Sequence, residues 1–508
     1  MRLITREQAR ELDHLSMTEY GISGELLMGN AGEKIAEFIR SELMDIHDPH
    51  IGIVCGKGNN GGDGFAVAAV LNDWGFRVTI YSLLEVEDIR GNSQIYHEKC
   101  KKAGLNIVYD SEPPVTKPEF DLMIDGLLGT GFKGTVRKEL SPWVSWLNTA
   151  TRSVSVDIPS GVNANTGSVD ENAVKASHTI TMGSSKLGMA LEPGRSNGGT
   201  IYAVDIGFPD IMDSLDGRKW TSITAGEIKS IVKPLNKSTH KHVQGKVLFV
   251  AGSRGMTGAA YLSTMAALRS GAGLTITCAP ASLNPIYEEK ITEGMTVACE
   301  DNGCGFLSEN NFDEIIKWVD WCDVLVIGPG LGQEEGTSKL VEKLVQSVEK
   351  PMVIDADGLR PFYNNSDLFK KMKSDFVITP HVGEISRLTG LPVKSIQDDL
   401  PGTIDKMMAD FPGVLIAKFA PSLVAWGGQG AVNSTGNPGL ATAGSGDVLT
   451  GVVASFMAQG FNAAESAKAA MFIHGKAADQ LSKSISQRGL IAGDLLYKVA
   501  RVLNDYES

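Results

Sequence analysis

Short apolar runs with strand character alternate with helical patterns along the chain, and this alternation constrains the fold more than any other feature. Strands that are apolar on both faces are typical of parallel sheets covered by helices on both sides. We therefore predict an α/β protein with parallel sheets. The predicted strands lie in HIGIVC, RVTIYSL, DLMID, SVSVDIP, HTITM, KVLFVAG, LTITCAP, DVLVIGP, PMVIDAD, DFVITP and GVLIAKF.

The predicted strands fall into two sets, separated by the polar stretch GFPDIMDSLDGRKW. A chain of 508 residues exceeds the usual size of a single hydrophobic core. We place the boundary near residues 215–225, which predicts one domain over residues 1–218 and a second over residues 219–508.

Composition narrows the class of protein. The formal charge of −13, from 47 basic and 60 acidic residues, argues against a general binder of nucleic acid or anionic membranes, so any phosphate must be bound locally. The six cysteines form no CxxC pair, which favours free thiols in a reducing compartment. The N-terminus lacks the apolar core of a signal peptide, and no run reaches the roughly 18 apolar residues of a membrane span. We expect a soluble cytoplasmic protein that forms a homo-oligomer.

A glycine-rich string, GKGNNGGDG, follows the predicted strand HIGIVC. Residues 56–61 match the GxGxxG fingerprint, whose glycines let a pyrophosphate approach a helix N-terminus. The match alone is weak, because Glu85 is offered as the acidic partner only past the end of the second strand. We predict that NNGGDG presents two amides and a carboxylate around a tight loop before a helix that begins near Phe65. The alternative is that such glycines only form turns.

Three aspartates follow predicted strands in the first half, namely Asp63, Asp125 and Asp157. Ligands of α/β proteins collect at the carboxyl ends of the strands, so these carboxylates are expected to converge at one sheet edge. Each could instead cap the next helix.

The strings GKGNNGGDG, DGLLGTGFKG and VDIPSGVNANTG resemble the motifs of the NAD(P)HX epimerase family over roughly residues 1–215. The resemblance implies a Rossmann-like fold and interconversion of the R and S forms of NAD(P)H hydrated at C6 of the nicotinamide. It implies a potassium ion at Asn60, Asp125 and Ser160. Asp157 is our choice of acid/base residue, with Asp63 as the alternative. The implied substrate contacts are Asn59, Asn60, Gly61, Gly62, Asp63, Gly129, Thr130, Gly131, Phe132, Lys133, Gly134, Thr135 and Asp157. A binding module is the competing class, because the fold is similar to that of scaffold domains in mRNA-decapping proteins.

The most informative segment of the second half is NPGLATAGSGDVLTG, which runs into an apolar helix. Small residues before a helix leave backbone N–H groups free to bind an anion, and the helix dipole favours negative charge there. Asp447 could accept a proton from a hydroxyl while the N–H groups stabilise a phosphoryl group in transfer. The predicted anion hole comprises Ala443, Gly444, Ser445 and Gly446.

This GxGD motif resembles the ribokinase-like superfamily. Together with His240-Lys241, GPGLG, DAD and TPHVGE it resembles the NAD(P)H-hydrate dehydratase family over roughly residues 225–505. The implied contacts with the hydrated nucleotide are Ala259, Gly330, His381 and Asp447, although His381 could instead be a packing residue. The implied adenine-nucleotide contacts are Lys418, Phe419, Ala420, Pro421, Ser422 and Gly446. Phe419 departs from the family pattern, which has glycine there, so the preference between ADP and ATP is open.

The two resemblances imply a single repair pathway for hydrated NADH and NADPH. An epimerase interconverts R- and S-NAD(P)HX, and a dehydratase uses ADP or ATP with magnesium to phosphorylate the C6 hydroxyl of the S form. Loss of phosphate then restores NAD(P)H and leaves AMP or ADP. ADP is our first choice. The alternatives are a ribokinase-like kinase for a vitamin precursor, fused to a ligand-binding domain, and a non-enzymatic scaffold.

Overall fold

The computed structural model describes residues 1–116, 119–363 and 365–507. The chain divides into two compact units, an N-terminal unit of Arg2–Trp220 and a C-terminal unit of Met1 together with Thr221–Ser508. Both units are α/β structures built on parallel strands, so the predicted fold class is confirmed. Among the described residues, no helix is long and apolar enough to cross a membrane.

The N-terminal unit is built on a seven-stranded parallel sheet with the order β4-β3-β2-β5-β6-β7-β9. The short strands β1 and β8 form a separate parallel pair. The strand order reverses between β2 and β5, and in open α/β sheets such a reversal creates a ligand-binding crevice. The strands are β1 (Arg2–Ile4), β2 (His50–Cys55), β3 (Arg77–Ser82), β4 (Asn106–Tyr109), β5 (Leu122–Gly126), β6 (Ser153–Val156), β7 (His178–Met182), β8 (Ser185–Lys186) and β9 (Thr200–Val204).

Helices cover both faces of this sheet, because successive residues of a strand point to opposite sides. In β2, Ile53 packs into a core that includes α2 and α3 residues, whereas Val54 packs into a second core around Trp143 and Trp146 of α5. The α-helices of the unit are α1 (Arg6–Thr18), α2 (Gly24–Glu42), α3 (Asn59–Asp73), α4 (Asn92–Lys102), α5 (Ser141–Leu147) and α6 (Gly194–Gly198). Short 3-10 turns cover Val86–Asp88, Leu187–Ala190 and Met212–Ser214.

Strand β10 (Lys219–Ser222) spans the division between the units. The sheet of the C-terminal unit has the order β13-β12-β11-β14-β15-β16-β17-β18-β19. Its strands are parallel up to β17, which begins an antiparallel meander with β18 and β19. The order again reverses, here between β11 and β14. The strands are β11 (Lys246–Val250), β12 (Leu274–Pro280), β13 (Met295–Cys299), β14 (Val324–Ile327), β15 (Met352–Ile354), β16 (Phe376–Ile378), β17 (Val414–Ala417), β18 (Leu423–Trp426) and β19 (Gln429–Val432).

Two helices, α8 and α15, pack closely at the centre of this unit. A side chain at Gly451 of α15 would overlap the Ser263 carbonyl of α8, so glycine allows the two backbones to approach. The α-helices are α7 (Ala225–Ile231), α8 (Thr257–Arg269), α9 (Asn284–Lys290), α10 (Phe312–Val319), α11 (Glu335–Ser347), α12 (Val382–Thr389), α13 (Val393–Asp398), α14 (Leu400–Met408), α15 (Ser445–Ala458), α16 (Ala463–Leu481) and α17 (Ala492–Asn504). The 3-10 segments are Ala281–Leu283, Glu309–Asn311, Ala356–Phe362, Ser366–Lys371, Pro438–Leu440 and Gln487–Gly489.

All eleven predicted apolar runs contain strands, whereas β1, β4, β8, β9, β10, β13, β18 and β19 were not predicted. Among these, the edge strands β4, β9 and β13 are largely half-buried or exposed along their length. A strand that is not buried on both faces does not need an apolar run, so the pattern that marks the central strands is absent from them.

Candidate active sites

The string NNGGDG forms the first turn of α3, so the predicted tight loop and the helix start near Phe65 are wrong. The helix begins at Asn59, directly after Gly58 with its φ of 99°. A side chain at Gly61 would overlap the carbonyl oxygen of Gly56. The glycines therefore allow the backbone of the first residues of α3 to lie against the backbone at the end of β2. Composition alone does not reveal this close approach.

A cavity of about 850 Å³ lies in the N-terminal unit beside this helix start. Most of the predicted substrate contacts line it, whereas Gly61, Gly62 and Gly134 are not among its lining residues. Gly61 and Gly62 are instead buried against neighbouring groups. The predicted residues that line the cavity are Asn59, Asn60, Asp63, Gly129, Thr130, Gly131, Phe132, Lys133, Thr135 and Asp157.

Asp157 lies at the end of β6 in a backbone conformation that is rare for a residue other than glycine, with φ of 65°. Its Oδ1 accepts hydrogen bonds from the Thr181 hydroxyl at 3.0 Å and from the Met182 amide at 3.2 Å. The ammonium group of Lys186 forms an ion pair with the same oxygen, and the Lys186 side chain is only 3% exposed. A strained backbone and a buried cation together hold this carboxylate at the cavity wall.

Asp63 also lines the cavity, from the first turn of α3. Burial holds the pKa of Asp63 well above its usual range, and the charges of Asp157 and Asp13 raise this pKa further. The ammonium of Lys186 acts in the opposite direction. The structure thus brings Asp63 and Asp157 together as predicted, and it adds Asp13 and Lys186, which the sequence analysis did not identify.

Asp125 does not line this cavity, so the predicted convergence of all three aspartates is only partly met. Its carboxylate is fully buried and accepts hydrogen bonds from the Ser155 hydroxyl at 2.8 Å and from the Ser160 hydroxyl at 2.6 Å. Burial nevertheless leaves the pKa of Asp125 raised. Asn60 reaches the same region, since its Nδ2 donates to the Leu128 carbonyl at 3.0 Å.

Basic side chains surround the carboxylates of the cavity. Arg10, Lys57, Lys133 and Arg137 line it together with the buried Lys186. In a chain of net charge −13, such a local group of cations can bind the phosphates of a dinucleotide.

In the C-terminal unit, Asp447 lies in the first turn of α15, after Gly444 with its φ of 88°. Helical hydrogen bonding begins with the Val448 amide, which donates to the Gly444 carbonyl at 3.1 Å. The amide groups of Gly446 and Asp447 therefore belong to the free end of the helix, where an anion is favoured. Burial raises the pKa of Asp447 to about 7, with a further contribution from Asp355.

An ion pair with a buried carboxylate lies beside the residues predicted to form the anion hole. Lys418 Nζ is 2.8 Å from Asp355 Oδ1, and the Thr450 hydroxyl donates to Asp355 Oδ2 at 2.7 Å. A Cβ atom at Gly446 would lie 3.2 Å from Lys418 Nζ. Burial alone would raise the pKa of Asp355, but the Lys418 charge together with hydrogen bonds from Lys418, Thr450 and Thr379 lowers the pKa below its ordinary value. A fixed positive charge is thus placed next to the residues predicted to bind phosphate.

The glycine-rich loop after β14 brings two predicted contacts together. Gly330 has φ of 59°, and a Cβ atom there would lie 2.8 Å from the Ala259 side chain at the start of α8. The Gly332 amide donates to Asp357 Oδ2 at 2.9 Å. The loops after β11, β14 and β15 therefore meet at the carboxyl ends of the strands.

His381 caps α12. Its Nδ1 accepts hydrogen bonds from the backbone amides of Gly383 at 2.9 Å and Glu384 at 3.3 Å. The side chain is 54% exposed, so Nε2 can still reach a ligand. A backbone β-bridge joins His381 to Lys418, and the charges of Lys418 and Asp355 both act on the pKa of the His381 imidazole. Structural capping and ligand binding are compatible here, since they use different ring nitrogens.

The segment predicted to contact the adenine nucleotide is a tight turn after β17. The Ser422 hydroxyl donates to the Phe419 carbonyl at 2.8 Å and accepts from the Phe419 amide at 3.3 Å. Ala420 is exposed, while Phe419 and Pro421 are half-buried. The turn begins at Lys418, so it starts from the ion pair.

Two family models match the chain. One described as NAD(P)H-hydrate dehydratase matches residues 247–501, and one described as YjeF-related protein N-terminus matches residues 24–188. The bifunctional NAD(P)H-hydrate repair enzyme of Moorella thermoacetica is 37% identical, covering 100% of this chain and 97% of its own length. The enzyme of the same name from Escherichia coli K12 is 32% identical, covering 99% of this chain and 93% of its own length.

Solved structures resemble the chain over about half its length. A hypothetical protein from Streptococcus mutans is 25% identical with a TM-score of 0.51, covering 57% of this chain and 100% of its own. A ribokinase-like superfamily protein from Enterococcus faecalis is 23% identical with a TM-score of 0.50, covering 57% of this chain and 97% of its own, and it shows the fold alone.

The fold of the chain and its two candidate sites are those of a two-unit α/β enzyme. Its N-terminal unit is Rossmann-like and its C-terminal unit is ribokinase-like. Relatives that share one name match this chain over nearly its full length and over nearly their own full length. The chain belongs to the family of bifunctional NAD(P)H-hydrate repair enzymes. The resemblances found in the sequence are confirmed.

Proposed function

We propose that the cavity beside Asp157 epimerises R- and S-NAD(P)HX and that the site at Gly446 and Asp447 dehydrates S-NAD(P)HX. The chain is a bifunctional NAD(P)H-hydrate epimerase and dehydratase. The observation that carries the assignment of the second site is a carboxyl group with a pKa of about 7 at the N-terminus of a helix. Such a group can take up and release a proton near neutral pH, next to amides that favour a phosphoryl group.

Dehydration at this site begins with transfer of a phosphoryl group from ADP or ATP to the C6 hydroxyl. Asp447 accepts the hydroxyl proton, while the amides of Gly446 and Asp447 and the Lys418 ammonium stabilise the charge of the transferring group. The ring nitrogen then supplies its electron pair as the C6–O bond breaks and phosphate leaves, and loss of a proton from C5 of the resulting cation restores the dihydronicotinamide. Bound magnesium would offset the charge of the nucleotide phosphates. The loop contacts at Ala259, Gly330 and His381 would orient the substrate.

We assign the nucleotide to the turn at Lys418–Ser422, which starts from the ion pair with Asp355. ADP is our first choice. In the N-terminal unit, Asp157 is the proposed acid/base residue, and the basic residues of the cavity would hold the dinucleotide phosphates.

Potassium at Asn60, Asp125 and Ser160 fits the side chains present. Asp125 is a fully buried carboxylate whose hydrogen bonds come from uncharged groups, so a monovalent cation would offset its charge. Ser160 Oγ accepts from the Leu128 amide at 2.7 Å, and Asn60 bonds the Leu128 carbonyl, so both side chains reach one backbone residue. Oxygen donors of this kind suit a hard cation. Location in the cytoplasm and assembly into a homo-oligomer stay predictions.

The function is tested by mixing the protein with S-NADHX, ADP and magnesium and following absorbance at the dihydronicotinamide band. We expect NADH, AMP and phosphate in equal amounts. With R-NADHX as substrate, NADH should form faster than spontaneous epimerisation allows. A vitamin-precursor kinase would leave S-NADHX unchanged and phosphorylate an alcohol such as hydroxymethylpyrimidine, which would overturn the dehydratase assignment.

A further inference from the structure

Asp13 of α1 lines the cavity that also contains Asp63, Asp157 and Lys186. The helix presents one face to this cavity, because Ala9, Asp13 and Met17 line it at intervals of four residues. A capping box between Thr5 and Gln8 fixes the start of the helix. Asp13 is therefore held on a regular element, with its side chain directed to the carboxylates of the candidate epimerase site.

The surroundings of Asp13 are costly for a charged group. Apolar side chains of Ile4, Leu12, Leu27 and Met28 line the same cavity. Among the described residues, no group hydrogen-bonds the Asp13 carboxyl. A partly buried carboxyl without a partner calls for a functional explanation. Burial raises the pKa of Asp13 to about 6, and the nearby charge of Asp157 raises it further while Lys186 opposes the shift.

Asp13 and Asp157 have different environments within one cavity. Asp157 Oδ1 accepts hydrogen bonds from Thr181 and Met182 and pairs with Lys186, so fixed donors and a cation surround this oxygen. Asp13 has no such donors, and its neutral form is favoured. Two carboxyl groups held in unlike environments can serve as proton donor and as charge stabiliser in the same reaction.

We propose that Asp13, rather than Asp157, is the proton donor of the epimerase site, and that the Asp157 carboxylate stabilises the cation formed when water leaves instead of acting as the acid/base residue. This inference rests on the assignment of the cavity to epimerisation. Asp13 protonates the C6 hydroxyl, and the C6–O bond breaks with its electron pair so that water departs. The ring nitrogen lone pair forms a double bond to C6, giving a cation. Water then adds to the other face of C6 and releases its surplus proton to solvent, from which the Asp13 carboxylate is reprotonated, so that no atoms or charge are gained.

The test compares Asp13→Asn, Asp13→Glu and Glu19→Gln in the full chain. Glu19 follows the end of the same helix and is exposed, so its variant controls for a changed charge on α1. Initial rates of R-to-S interconversion are measured against an enzyme-free control. Dehydration of S-NADHX by the same preparation reports on the intact C-terminal unit. A second readout is incorporation of oxygen from ¹⁸O-labelled water at C6.

We expect Asp13→Asn to lower epimerisation by about 10²-fold, the order of general acid catalysis, while Glu19→Gln retains the parental rate. Asp13→Glu retains a proton donor and should be faster than Asp13→Asn. Oxygen incorporation should fall in parallel with epimerisation. Parental epimerisation in Asp13→Asn, or equal losses in the Asn and Glu variants, would overturn the inference while leaving the proposed function intact. Epimerisation by the parent no faster than the enzyme-free control would instead refute the proposed function.

Discussion

Lys418 Nζ lies 2.8 Å from Asp355 Oδ1, and this ion pair lies next to the residue that precedes Asp447. The pair acts on Asp447 with both signs, because the Asp355 charge raises the pKa of Asp447 and the Lys418 charge lowers it. The protonation of the proposed base therefore depends on its neighbours as well as on its own burial. This relationship can be tested with paired substitutions.

The pH dependence of dehydration should move in opposite directions in two variants. Burial raises the pKa of Asp447 to about 7, so kcat/KM of the parent should rise with pH and level off above that value, as the base loses its proton. Lys418→Met removes a charge that lowers this pKa, so the rise should move to higher pH. Asp357→Asn removes a charge that raises it, so the rise should move to lower pH. A pH profile of each variant checks this, and displacement of both in the same direction contradicts the assignment.

Asp447→Asn should stabilise the protein at alkaline pH. The carboxyl is protonated in the folded state up to about pH 7, whereas its ordinary pKa is 3.8. The unfolded chain binds fewer protons between these values, so the stability of the parent falls as pH rises through this window. Each unit of pKa difference corresponds to about 1.4 kcal/mol at full burial, and partial exposure reduces this. Thermal unfolding at pH 4.5 and pH 8 should show a larger advantage of the variant at pH 8. An equal difference at both values would show that Asp447 does not have a raised pKa.

Substitutions in the two units should have separate effects. Asp447→Asn removes the proton acceptor, and dehydration should fall by about 10²- to 10⁴-fold while R-to-S interconversion keeps the parental rate. Asp157→Asn should impair interconversion and leave dehydration of pure S-NADHX unchanged. Initial rates with each epimer measure both activities. Loss of both activities in Asp447→Asn would mean that the two reactions do not have separate sites.

Potassium bound beside Asp125 should support epimerisation. It should have no effect on the dehydration of S-NADHX. Replacing potassium with tetramethylammonium removes a cation of the right size, so the Asp125 carboxylate would lose its counterion. Asp125→Asn removes the charge itself and should make the remaining rate independent of potassium. Initial epimerisation rates over a potassium titration test this, and a flat titration for the parent would count against the site.

Local sequence patterns predicted the central strands of each unit well. The features that they did not predict depend on contacts between residues distant in sequence. Asp447 could be proposed from sequence because its proposed role depends on a helix start that small residues mark directly. Lys186 and Asp13 carry no such mark, since each becomes relevant only when β8 and α1 lie beside the cavity. For Asp125 the local pattern predicted the position along the chain correctly but not the surroundings of the side chain. It follows a strand as predicted, but the Ser155 and Ser160 hydroxyls bind its carboxylate away from the other two aspartates.

The capping box of α1 has a practical consequence for recombinant work. Thr5 and Gln8 fix the first turn, and the Arg6 amide donates to Asn165 Oδ1 at 2.7 Å, so the orientation of Asp13 depends on contacts within a few residues of the first methionine. A purification tag or a short truncation at this end would disturb that turn and β1, whose Ile4 pairs with Lys186 of β8. We expect an enzyme prepared in this way to epimerise weakly, and this loss would be mistaken for a property of the protein itself.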